Sequence, residues 1–116
     1  MDRIEYLRLL VRQGESKTVS SPEGMTDSFD AYNGFLAVYY ELAKMELHSA
    51  GDEIRPIRLF AIDKALERID TRLDCADFAI PALIRMLREH RGAELSEAEA
   101  QKIEKSLIGF KYWLDE

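Results

Sequence analysis

Four charged side chains crowd one short stretch: Asp70, Arg72, Asp74 and Asp77, just before Pro81. Carboxylates in differing environments can act as general acid and base or accept hydrogen bonds from sugar hydroxyls, and an arginine beside them can hold an anionic substrate. The competing reading is local and structural. Asp74 and Asp77 stand where a following helix needs an N-cap, and Arg72 is within reach of either as an ion pair. A second cluster, Lys111 to Glu116, puts Tyr112 and Trp113 beside Asp115. Aromatic faces stack on sugar rings or on partner side chains, and the acid can bind hydroxyls. Both aromatics step off the apolar stripe of their helix, so a second layer of helices is the alternative occupant.

Other chemistries have less to work with. His48 and His90 fall in different predicted helices with no His or Cys at ligand spacing, and the acid spacing does not fit a calcium loop, so no metal site is expected. Cys75 is the sole cysteine, which excludes an internal disulfide and favours a reducing compartment; as a nucleophile it would need a histidine folded against it. A Gly-rich phosphate loop, a Ser-centred elbow and a dinucleotide fingerprint are all missing, so no cofactor is expected. The net charge of -6, with basic residues scattered among the acids, argues against nucleic acid. No window approaches the roughly 18 apolar residues of a membrane span, and Met1 to Tyr6 lacks an apolar signal core, so a cytoplasmic chain is expected.

The elements that carry these clusters read as helices. With 116 residues, 47% hydrophobic and 33% charged, the chain has the composition of one folded domain. Asp2 and Glu5 have capping-box spacing, and Ile4, Leu7, Leu10 and Val11 predict a first helix ending before Gly14. Residues 15–24 predict a loop. Phe29, Tyr32, Phe35, Leu36, Tyr39, Leu42, Ala43 and Leu47 predict a long helix over 27–49 with Gly51 as its cap. Val38, Tyr40 and Met45 lie off that stripe, so contacts on two sides are expected. Pro56 predicts the first turn of a third helix carrying Leu59, Ile62, Leu66, Ile69 and Leu73. A fourth helix is expected to hold Pro81 in its first turn and to load its end with Arg85, Arg88, His90 and Arg91 before Gly92. Ser96 with Glu99 is a capping box, and Leu95 with Ala100 a hydrophobic staple, for a fifth helix along Ala100, Ile103, Leu107, Phe110 and Leu114. Nothing alternates with the period of a strand. The expected fold is all-α: about five helices in antiparallel hairpins.

The segments Ile69-Asp-Thr-Arg-Leu-Asp-Cys-Ala-Asp-Phe78 and Leu107-Ile-Gly-Phe-Lys-Tyr-Trp-Leu-Asp-Glu116 resemble part of a family of large bacterial proteins with an α/α-toroid region. That architecture is similar to six-hairpin glycosidases and to heparinase- and alginate-lyase-type polysaccharide lyases. The resemblance covers roughly Pro56 to Glu116. It implies the N-terminal helical portion of a toroid acting on polysaccharide, with Asp70, Arg72, Asp74, Asp77, Tyr112, Trp113 and Asp115 near or bracing a sugar cleft. In the family, a Pro-Gly turn and then a Trp-, Glu-, Asn- and His-bearing strip follow the position of Glu116, so the catalytic set is expected outside these residues. Asp115 and Glu116 at a helix C-terminus, where cations are favoured, fit a chain that continues. A free-standing helical bundle that binds a protein partner, or a second copy of itself, is the alternative from a different class.

Overall fold

A computed structural model describes residues 1–17, 27–52, 56–72 and 76–114, with side chains for 1–15, 35–52, 56–72 and 76–111. The described residues form five helices and no strand: α1 (Arg3–Lys17), α2 (Asp27–Ser49), α3 (Leu59–Asp70), α4 (Ile80–Glu89) and α5 (Glu97–Leu114). A four-residue 3-10 turn, Ala76–Ala79, leads into α4. The fold is all-α, and no described helix is long and apolar enough to cross a membrane.

Helix α2 is the axis. It packs against α1, α3 and α4, while α5 closes on α3 and α4 from the other side. The off-stripe residues explain this: Val38, Tyr40 and Met45 are all buried, as are Ala37, Leu42, Ala43 and Leu47. One face joins Ile62, Leu66, Ile69, Leu83, Met86, Leu95 and Ile103 in the main core. The opposite face, through Ala43 and Leu47, holds Leu7 and Val11 of α1 in a smaller cluster.

The ends follow capping chemistry where the partners are local. Asp2 accepts the Glu5 amide at 2.8 Å. Gly51, at φ 84°, completes a two-bond cap on α2 in which its amide donates to the His48 carbonyl and the Asp52 amide donates to the Leu47 carbonyl. Ser96 Oγ accepts the Glu99 amide at 3.3 Å, and the staple residues Leu95 and Ala100 are both buried. Pro81 lies in the first turn of α4.

Three boundaries differ from expectation. Helix α1 runs through Gly14 to Lys17, so residues 15–17 are helical and only 18–24 of the expected loop remain, outside the described residues. Gly14 is not a cap but a contact: a Cβ there would stand 2.3 Å from Tyr40 Cγ. Pro56 precedes α3 instead of opening it, because α3 is started from across the core. Buried Glu41 accepts the Arg58 amide at 2.7 Å, and buried Lys44, paired with Glu41 at 3.0 Å, donates to the Pro56 carbonyl at 3.2 Å. A carboxylate aimed at a helix start is favourable whichever element supplies it. Finally, α3 stops at Asp70, and Leu73 lies outside the described residues.

Candidate functional site

Arg72 sits just past α3 in the left-handed region, at φ 58°. Its guanidinium turns back onto the helix it has left, where Nη1 donates to the carbonyls of Ile69 at 2.5 Å and Asp70 at 3.2 Å. Nη2 donates to the Gly109 carbonyl of α5 at 3.2 Å, and the group lies 5.5 Å from the Phe110 ring centroid. A cation at a helix C-terminus satisfies carbonyls that have no partner within the helix. Arg72 therefore ties the end of α3 to α5, and its Nη1 and Nη2 donors are already directed at the backbone, not held out toward a substrate anion.

The acids part company. Asp70 is exposed and lines a hollow between α3 and α5 with Asp63, Thr71, Lys102 and Lys105. Asp77 lies in the 3-10 turn, not at the α4 N-cap, which is Ala79 with helical backbone angles and no side-chain bond. The 3-10 turn runs straight into the helix, so no extended capping residue is required. Asp77 instead rims an aromatic groove of about 680 Å³ formed with Phe35, Leu36, Tyr39, Phe78 and Pro81. Phe35 and Phe78 meet edge to face, with centroids 5.3 Å apart at 87°. The Tyr39 hydroxyl donates to the Phe78 carbonyl at 3.0 Å, which fixes the floor. Phe78 remains 52% exposed. Tyr112 and Trp113 lie in the last turn of α5, but their side chains, like Asp74, Cys75 and Asp115 as a whole, lie outside the described residues.

A second cluster was not legible along the chain. The caps of α2 and α4 bring His48, Ser49 and His90 around Glu94. Gly92, at φ 80°, reverses the chain after α4, and the Leu95 amide donates to the His90 carbonyl at 2.9 Å, so Glu94 folds back over the helix end. Glu94 Oε1 is 2.6 Å from His90 Nδ1 and accepts Ser49 Oγ at 2.9 Å, while Oε2 is 2.7 Å from His48 Nδ1. Burial raises the Glu94 pKa, but hydrogen bonds from His48, His90 and Ser49 together outweigh it and hold the carboxyl down at about 2. His48 is exposed; His90 is only 2% exposed, and its Nε2 is buried with no partner. Next to it, Glu46 receives Arg3 at 2.8 Å and Arg85 at 2.5 Å. Glu46, Glu89 and His90 are the described residues that can offer converging metal-ligand atoms. The signal available in the sequence was a histidine at the end of each of two helices.

The same geometry limits what the cluster can do. Ser49 Oγ lies 3.2 Å from His90 Nδ1, the nitrogen that Glu94 already holds. A nucleophile triad needs serine and carboxylate on opposite ring nitrogens, so Ser49 is not activated here.

Comparison of the chain with protein-family models, with curated proteins and with solved structures returned no match.

Proposed function

We propose that this chain is a non-catalytic helical portion of a carbohydrate-active α/α-toroid protein, of the polysaccharide-lyase or glycoside-hydrolase kind. Its contribution is to hold a saccharide at the Asp77 corner. The observation that carries this reading is the groove in which Phe35, Tyr39 and Phe78 form apolar walls and Asp77 stands at the rim. Sugar C–H faces pack on aromatic rings, and a carboxylate accepts hydroxyl hydrogens. Because the charged residue of its described lining is the acid Asp77, the groove suits uncharged sugar units better than uronates. Amide chemical shifts followed during titration with neutral and uronate oligosaccharides test the reading. Saturable shifts at residues 35–39 and 77–81 are expected, weakened by Phe78→Ala and by Asp77→Asn, two exposed positions whose replacement leaves the helical signal intact. A chain that saturates with no glycan of either kind sinks the proposal.

A second reading rests on the exposure of Phe78 at 52%: a free-standing bundle that covers this ring with a protein partner or a second copy of itself. Sedimentation separates the two. A concentration-dependent dimer abolished by Phe78→Asp favours the bundle, and a monomer at all concentrations excludes the self-association branch.

A further inference from the structure

We propose that Glu46, Glu89 and His90 bind one divalent transition-metal ion of the zinc type, with Glu94 orienting His90 behind them. One ligand atom from each of the three lies within 4.8 Å of the others, close enough that small side-chain rotations bring all three onto one ion at bond lengths of about 2.0–2.2 Å. Glu46 comes from the last turns of α2 and Glu89 from the end of α4, so two helix C-termini, each favouring a cation, point to one place.

The histidine is the second and independent observation. Its side chain is almost wholly buried, its Nδ1 is held by Glu94 at 2.6 Å, and its Nε2 has no partner at all. A buried imidazole nitrogen without a partner is costly. A carboxylate on one ring nitrogen with the other left for a ligand is the arrangement that fixes the tautomer of metal-binding histidines and raises their basicity. Glu46 differs, since both its oxygens are ion-paired, Oε2 with Arg3 and Oε1 with Arg85.

The ligand set decides the metal class. One imidazole and two carboxylates suit zinc and its first-row neighbours better than the all-oxygen shells of calcium or magnesium. Three protein ligands would leave a fourth tetrahedral position for water or another ligand, and the three residues line a cavity of about 530 Å³ together with Arg3, Ile4 and Leu7 of α1. Arg3 and Arg85 neutralise Glu46 when no ion is bound. Both are long, with side chains 68% and 47% exposed, so they can swing into solvent when a divalent cation replaces their charge.

Calorimetric titration of the untagged chain with Zn²⁺, and visible absorption with Co²⁺, test the site. One equivalent of Zn²⁺ and the absorption bands of four-coordinate Co²⁺ with a nitrogen ligand are expected. His90→Gln abolishes binding. Glu89→Gln, at an exposed position where folding is unaffected, weakens it by about tenfold or more, the scale on which supporting residues of such sites already act. Arg85→Met tightens it, because a competitor for both Glu46 and Glu89 is gone. Absence of saturable Zn²⁺ binding in the parent chain, or an affinity unchanged in a folded Glu89→Gln chain, overturns the proposal.

Discussion

Glu94 accepts hydrogen bonds from three side chains that reach it from α2 and from the end of α4, and its carboxyl titrates near 2 instead of the ordinary 4.5. The unfolded chain therefore takes up a proton at this group earlier than the folded one as pH falls. The stabilisation is complete above pH 4.5 and is lost between 4.5 and 2, with a magnitude on the order of 2–3 kcal/mol. Urea unfolding at pH 6 and at pH 3 should show that loss, and Glu94→Gln should flatten it. An unchanged pH dependence in the variant would assign the acid sensitivity to other groups. Nothing in the local sequence marks Glu94, because two of its partners, His48 and Ser49, lie 46 and 45 positions away. Residue type told that it was an acid in a connecting segment; only its neighbours make it a strong one.

At the scale of elements, helix starts and stops were legible when the capping group lay within a few residues. Ser96 and Gly51 behave as their positions predict because the groups they satisfy belong to the same turn. The start of α3 was not legible, since Glu41 and Lys44 of α2 supply its partners. The corner after α3 shows the same contrast. Arg72 reads in sequence as a cation available to a ligand; its backbone angle turns it onto the carbonyls of Ile69 and Gly109 instead. Arg72→Ala should cost on the order of 1–3 kcal/mol, from the lost bonds to carbonyls and the Phe110 ring. Arg72→Gly should cost less, by up to about 1 kcal/mol, since glycine accepts positive φ without strain. Urea midpoints of the two variants check the order, and equal losses would mean that the backbone conformation contributes nothing.

Across the whole molecule, the joint between α1 and the rest depends on one hydrogen atom in place of a methyl group. Gly14→Ala in an exposed helix would stabilise by about 1 kcal/mol. Here the added Cβ would press into the Tyr40 ring, with Cγ, Cδ2 and Cβ all within 2.7 Å, so a loss of about 1–3 kcal/mol is expected. Thermal melts of Gly14→Ala in the parent and in a Tyr40→Ala background test this: the substitution should destabilise the first and not the second. Stabilisation of the parent would refute the close contact. The sequence by itself determined the helical class, the periodic faces and the caps made within one turn, because these depend on residues three or four positions apart. It also marked Asp77 as a notable acid, though not the aromatic groove it rims, which needs Phe35 and Tyr39 from α2. The tertiary structure alone decided that Gly14 is a contact, that Arg72 faces inward and that His48, Ser49, His90 and Glu94 meet. Each of these includes a contact across at least 26 positions of chain, the separation of Gly14 and Tyr40, and no local period records which distant side chain will be the neighbour.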